Sequence, residues 1–173
     1  MKVLVVGPST TRAKGGMSTV IKGITDYYAT NNRISITEFP SYIDGPKWLR
    51  WLYVGFAFLR FIIACRGYDI YHLHMASFGS GRRKSIYIRW LKKRNKKVIV
   101  HLHGASFFKY YGQLTPEEQQ RLAKTLQSAD LLIALSARWK TEYETHLGLT
   151  NVAVLNNSID PDIFAPAVSN ATK

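Results

Sequence analysis

The chain has 173 residues, 46% of them apolar, and its 24 Lys and Arg against 11 Asp and Glu leave a formal charge of +13. That length suits one domain with a substantial core, and the composition excludes an intrinsically disordered chain. The charge calls for an acidic partner surface, either anionic lipid headgroups or nucleic acid phosphate. Cys65 is the single cysteine, which excludes an internal disulfide, points to a reducing compartment, and reads as a small buried hydrophobe.

The opening MKVLVVGPS has too short an apolar part for a signal peptide and reads as a first strand over Val3–Val6, ended by Gly7 and Pro8. The loop PSTTRAKGG then brings Gly15 and Gly16 to the start of a helix in which Met17, Val20, Ile21 and Ile24 recur at helical spacing. A glycine pair at a helix start lets backbone approach a phosphate or sugar, and equally it permits a tight loop. The spacing fits neither GxGxxG nor the P-loop pattern.

Ile34–Phe39 read as a second strand, with Pro40, Gly45 and Pro46 marking the connection. The next helix, PKWLRWLYVGFAFLRFIIACRG, is apolar around most of its circumference. Arg60 interrupts its apolar run, which falls short of the roughly 20 residues a spanning helix needs, so no transmembrane segment is expected. Two readings remain: a core helix on the sheet, or one whose Trp48 and Trp51 also meet a membrane interface while Lys47, Arg50 and Arg60 meet phosphates.

Asp69–Leu73 form a third strand with His74 at its carboxyl edge. The segment GRRKSIYIRWLKKRNKK places Arg82, Arg83, Lys84, Arg89, Lys92 and Lys93 in a run without an acid. It reads as a solvated helix face or, because unopposed cations repel one another, as a face toward an anionic surface. Nucleic acid is disfavoured, since no helix-turn-helix, zinc-finger or RNP motif is present. Then KVIVHLHG supplies a strand apolar on both faces, Val98–Val100, with His103 and Gly104 at its end. An aromatic loop follows, and Thr115, Pro116 and Glu118 form a helix start of capping-box type. DLLIAL over Asp130–Leu135 is a fifth strand, Ser136 is a natural N-cap for the helix after it, and Val152–Leu155 give a sixth strand before NNSIDPDIF.

This alternation predicts an α/β fold: a Rossmann-like, doubly wound parallel sheet with helices on both faces. Gly7, His74, His103 and Ser136 then share one carboxyl edge, where ligands bind in open α/β sheets, and the Gly15–Gly16 loop overhangs it. Singly, each histidine reads as structural. His72 with His74, and His101 with His103, form two H-x-H pairs of the kind metals use, but no acid or cysteine stands near in sequence to complete a site, so no metal is expected. Ser136 as a nucleophile is disfavoured by the absence of GxSxG.

Taken in order, MKVLVVGPS, Gly15-Gly16-Met17, YDIYHLH, VIVHLHG, SADLLIALS and VAVLNNSIDPDIF resemble the N-terminal, acceptor-binding half of a GT-B fold glycosyltransferase of the GT4 type, across essentially the whole chain. One departure is Ser158, where the family's hinge usually has glycine. The resemblance implies retaining transfer of a sugar from a nucleotide-sugar donor to an acceptor hydroxyl in a cleft between two Rossmann-like domains, with no metal or other cofactor. It implies that Gly15 and Gly16 approach the donor phosphates and the acceptor. His103, the catalytic candidate, would lie beside the donor sugar and acceptor hydroxyl; His74, Ser77, Gly104 and Ser136 would line the substrate side. Residues 1–160 would be the acceptor-binding domain and 161–173 a hinge or linker toward a C-terminal donor-binding domain, in cis or in trans, without which this chain would not turn over donor. The basic and aromatic helices add the expectation of a lipid-linked or cell-surface glycan acceptor and a peripheral position on the inner face of the cytoplasmic membrane. The reading from another class is a non-catalytic basic α/β binding module, pairing with a partner chain or binding nucleotide or nucleic acid.

Overall fold

The computed structural model describes residues 1–64, 66–104 and 106–156. The hinge motif from Asn157 onward, with Ser158, the expected linker 161–173 and Cys65 lie outside these described residues.

Six strands form one all-parallel sheet: β1 (Lys2–Pro8), β2 (Ser35–Tyr42), β3 (Ile70–Met75), β4 (Lys97–Leu102), β5 (Leu131–Ala134) and β6 (Val152–Val154), in the order β2-β1-β3-β4-β5-β6. The connecting helices are α1 (Gly16–Tyr27), α2 (Lys47–Ala64), α3 (Gly79–Lys92), a short α4 (Phe107–Tyr111), α5 (Pro116–Gln127) and α6 (Ala137–Leu147). The expected doubly wound architecture is the observed one. Strand order reverses between β1 and β3, and that switch point is where such sheets open a crevice.

The reversal also distributes the helices. Right-handed crossovers put a connection that steps one way along the sheet on one face and a connection that steps the other way on the opposite face. Only β1 to β2 steps outward, so among the described helices α1 alone packs on the face of Val3 and Val5, through Ile21 and Met17. The main core lies on the other face, where Leu4, Val6, Tyr71, Leu73, Val98, Val100 and Leu132 meet Phe61 of α2, Ile88 and Leu91 of α3, Leu126 of α5 and Tyr143 of α6.

Two elements depart from expectation. β2 continues through Pro40, paired in register with Gly7; it is the edge strand, and a missing N–H is tolerated there. The aromatic loop after β4 contains α4, which sinks Phe107 and Tyr110 into the core beside Tyr143 and so earns a helical turn. The capping box of α5 is present as read, with the Thr115 side chain accepting from the Glu118 N–H and Glu118 accepting from the Thr115 N–H.

Candidate functional site

The carboxyl ends of β1, β2 and β3 surround a cavity of about 200 Å³, lined among others by Lys14, Gly15, Ser18, Ser41, Arg83 and Lys84 and, among the described residues, by no carboxylate. The β1–α1 loop that forms its rim is tied down on both sides. Thr10 gives its N–H and its hydroxyl to Glu38 of β2, at 3.0 and 2.7 Å, and the Lys14 N–H donates to Asp44 at 2.8 Å. Gly15 caps α1 at φ 134°, ψ 164°, a conformation essentially reserved for glycine, so its residue type is conformational. Gly16 has no such need, and a Cβ there would meet nothing within 4 Å. It leaves the N-terminal N–H groups of α1 approachable beside the cavity.

Lys84 was expected on a membrane-facing surface. Instead it is 3% exposed at the wall of this cavity, donating to the Ser41 hydroxyl, which donates in turn to the Gly7 carbonyl at 2.8 Å. The reason is helical phase: Lys84 shares the inward stripe of α3 with Tyr87, Ile88 and Leu91. Burial pushes its amine well below the ordinary lysine range, and the Arg83 charge pushes the same way. Arg83 stacks over the Tyr42 ring at 4.8 Å and Arg50 reaches the Tyr42 hydroxyl at 3.3 Å, so both are half-buried by the rim. Lys92 pairs with Asp130 at 2.7 Å, and the same carboxylate oxygen takes the Val98 N–H, which ties the end of α3 to the start of β4. Arg82 and Arg89 on α3 and Lys93 at its C-cap are exposed, Arg82 with Glu118 at 3.6 Å.

Beside the cavity, β3 and β4 bring four histidines onto one face. His72 and His74 alternate with Tyr71, Leu73 and Met75, and His74 lies opposite His101 in register. His74 Nδ1 and His103 Nε2 are 2.8 Å apart, and the His101 and His103 ring centroids are 4.0 Å apart. Burial, first of all, holds these rings neutral: His72 and His103 are lowered to about 4 and His101 to about 3, while His74, crowded also by the other three histidines and Lys84, falls well below the usual range.

Ser77 and Gly104 join this group. A Cβ on Gly104 would come within 3.1 Å of Ser77 Oγ, and that hydroxyl is buried without a hydrogen-bond partner among the described residues. Gly7 fits between Ile21 and His74; a Cβ there would collide with Ile21 Cδ1 at 2.1 Å. Next to Ser77, Phe78 is held at φ 51°, a conformation that costs a bulky residue about 1–3 kcal/mol and that clusters at working sites. Ser136 stands apart from the cavity, and its Oγ accepts the Trp139 N–H at 3.3 Å as the cap of α6. Ser41 and Phe78 had no local signal in the sequence. For Lys84 one existed, in the i, i+3, i+4, i+7 spacing it shares with Tyr87, Ile88 and Leu91.

On the far side, α2 buries only Ala57 and Phe61 fully. Trp48, Trp51, Leu52, Phe56, Leu59 and Ile63 form an exposed stripe, with Trp51 71% and Ile63 74% exposed. The plain core-helix reading therefore accounts for one side of α2 only. No helix among the described residues is long and apolar enough to cross a membrane.

Sheet order and the switch point between β1 and β3 define a Rossmann-like α/β domain. More narrowly, the chain belongs to Glycosyltransferase Family 4, whose profile matches residues 7–163. No curated protein matches it. Among solved structures it is similar to a proposed phosphomethylpyrimidine kinase of Bacteroides thetaiotaomicron, at 13% identity over 94% of this chain and with a TM-score of 0.49, a likeness too slight to argue from. The chain spans 56% of the length of that structure.

Proposed function

We propose that this chain is the acceptor-binding half of a retaining, nucleotide-sugar-dependent glycosyltransferase of GT-B architecture, acting on a lipid-linked or cell-surface glycan at the inner face of the cytoplasmic membrane. The observation that carries the reading is the acid-free cavity of Lys14, Arg83 and Lys84 at the N-terminus of α1, set beside the His74–His103 pair. Cations, free helix N–H groups and a neutral imidazole are what a phosphorylated sugar substrate needs: the first two hold phosphate, and the third orients a hydroxyl. In this scheme Gly16 admits the phosphates to the helix end. His103 hydrogen-bonds at the reacting centre with His74 fixing its ring, and Ser77 and Gly104 border the acceptor. A donor-binding domain, in cis or in trans, supplies leaving-group stabilisation. The exposed stripe of α2, with Lys47 and Arg60 on the same helix, supports the membrane part, because apolar side chains enter the headgroup layer while cations meet lipid phosphate.

Acceptor binding is testable on the chain itself. In ¹⁵N-labelled protein, a micelle-solubilised lipid-diphosphate-linked glycan should shift the amides of Gly15, Gly16, Ser77, His103 and Gly104, whereas lipid without the glycan diphosphate should not. Shifts elsewhere only, or none, contradict the reading.

A further inference from the structure

We propose that His72, His74 and His101 form a binding site for one divalent transition metal ion of the zinc class. One ligand nitrogen from each of the three rings lies within 4.8 Å of the other two. A tetrahedral zinc site, with Zn–N about 2.0–2.1 Å, needs its nitrogens about 3.4 Å apart. Metal binding would draw the three nitrogens to that spacing by turning the rings about χ2.

The ring nitrogens themselves point to a ligand. His72 Nε2, His74 Nε2 and both nitrogens of His101 are buried with no hydrogen-bond partner among the described residues. Buried polar atoms are nearly always paired, so an unpaired nitrogen on each of three neighbouring rings is accounted for by an occupant that takes several imidazoles at once. The set contains no thiolate and no carboxylate, which suits zinc, cobalt, nickel or copper rather than calcium or magnesium.

The surroundings meet the other requirements of such a site. His74 Nδ1 faces His103 Nε2 at 2.8 Å, so with Nδ1–H donating to His103, His74 presents an unprotonated Nε2 to the metal. Metal-bound histidines are commonly oriented by such an outer hydrogen bond. The cluster comes nearest to solvent at His72, which is half-buried on the face where Ile99 and Leu131 are half-buried too. The sequence alone set metal aside for want of a third ligand type. The register of β3 on β4 supplies the third ligand as another histidine.

The inference does not rest on sugar transfer, and its readout is metal itself. Chain stripped with a chelator is titrated with Co²⁺, followed by the visible absorption of four-coordinate cobalt, and bound Zn²⁺ is counted by mass spectrometry after gel filtration. One ion per chain with the tetrahedral cobalt spectrum is expected. His72→Ala, whose half-buried side chain makes it the variant best placed to fold, should lose the ion, His103→Ala should weaken binding 10- to 100-fold, and His146→Ala, on the exposed side of α6, should change nothing. Substoichiometric metal in the wild-type chain, or equal loss in His146→Ala and His72→Ala, overturns the proposal. Circular dichroism on each variant separates loss of the site from loss of the fold.

Discussion

His74 and His103 face each other ring nitrogen to ring nitrogen at 2.8 Å, from the carboxyl ends of two adjacent parallel strands. The contact joins a fully buried ring to one that is 9% exposed at the site edge. One proton lies between them, so each ring's orientation depends on the other. His74→Ala removes a hydrogen bond from His103, and a loss of about 1 kcal/mol corresponds to a five- to tenfold drop in transfer. That drop should appear in kcat with KM little changed; a change confined to KM would place His74 at the substrate instead.

Lys84 gives a prediction with opposite signs for stability and function. It is an amine buried beside Arg83, and no carboxylate among the described residues lines its cavity. Lys84→Met keeps the volume and removes the desolvation cost, so the melting temperature should rise while binding of a phosphate-bearing ligand is lost. The pH dependence follows from the lowered amine. Because the unfolded chain binds the proton more tightly, this group's contribution to stability is full above the unfolded lysine value of 10.5 and is lost as pH falls through the lowered folded value. Chemical denaturation across that range should show a steeper rise with pH in the wild type than in Lys84→Met. Identical slopes would mean the amine is not buried.

Gly16 separates a structural glycine from a functional one. Nothing lies within 4 Å of a Cβ at that position and its φ is unexceptional, so Gly16→Ala should leave stability unchanged or raise it by about 0.5–1 kcal/mol. If the helix end receives a phosphate, the added methyl should still weaken ligand binding severalfold. Unaltered binding together with unaltered stability would return the glycine pair to a loop role.

The α2 stripe should behave as a surface that enters lipid. Leu52→Glu with Phe56→Glu changes two exposed side chains, so the fold should persist while co-sedimentation with anionic vesicles is lost. In the wild type, binding should weaken as salt rises and the tryptophan emission should shift to the blue on vesicles. Retained binding by the double variant would remove α2 from the membrane.

What was legible in the sequence followed from local chemistry. Thr115-Pro116-Glu118 reads as a helix start, and the strand readings of Asp69–Leu73 and Val98–Val100 put His74 and His103 on one edge. What escaped was decided by partners distant in the chain. Pro40 stays in β2 because β2 is an edge, a fact of strand order rather than of Pro40. Lys84 looked like one more cation in a basic run until the α3 phase turned it inward onto Ser41. The two H-x-H pairs sit 29 residues apart at His74 and His103, and only the register of β3 on β4 makes them a cluster.

The central claim, that the carboxyl edge around His103 serves sugar transfer, is tested most directly in membranes from cells that make the chain naturally, comparing wild type with His103→Ala at equal chain levels. Transfer of radiolabelled sugar from a panel of nucleotide-sugars into the lipid or glycan fraction should fall at least a hundredfold for one donor and stay unchanged for the others. Equal incorporation from every donor, with the variant folded and present at wild-type level, would contradict the account.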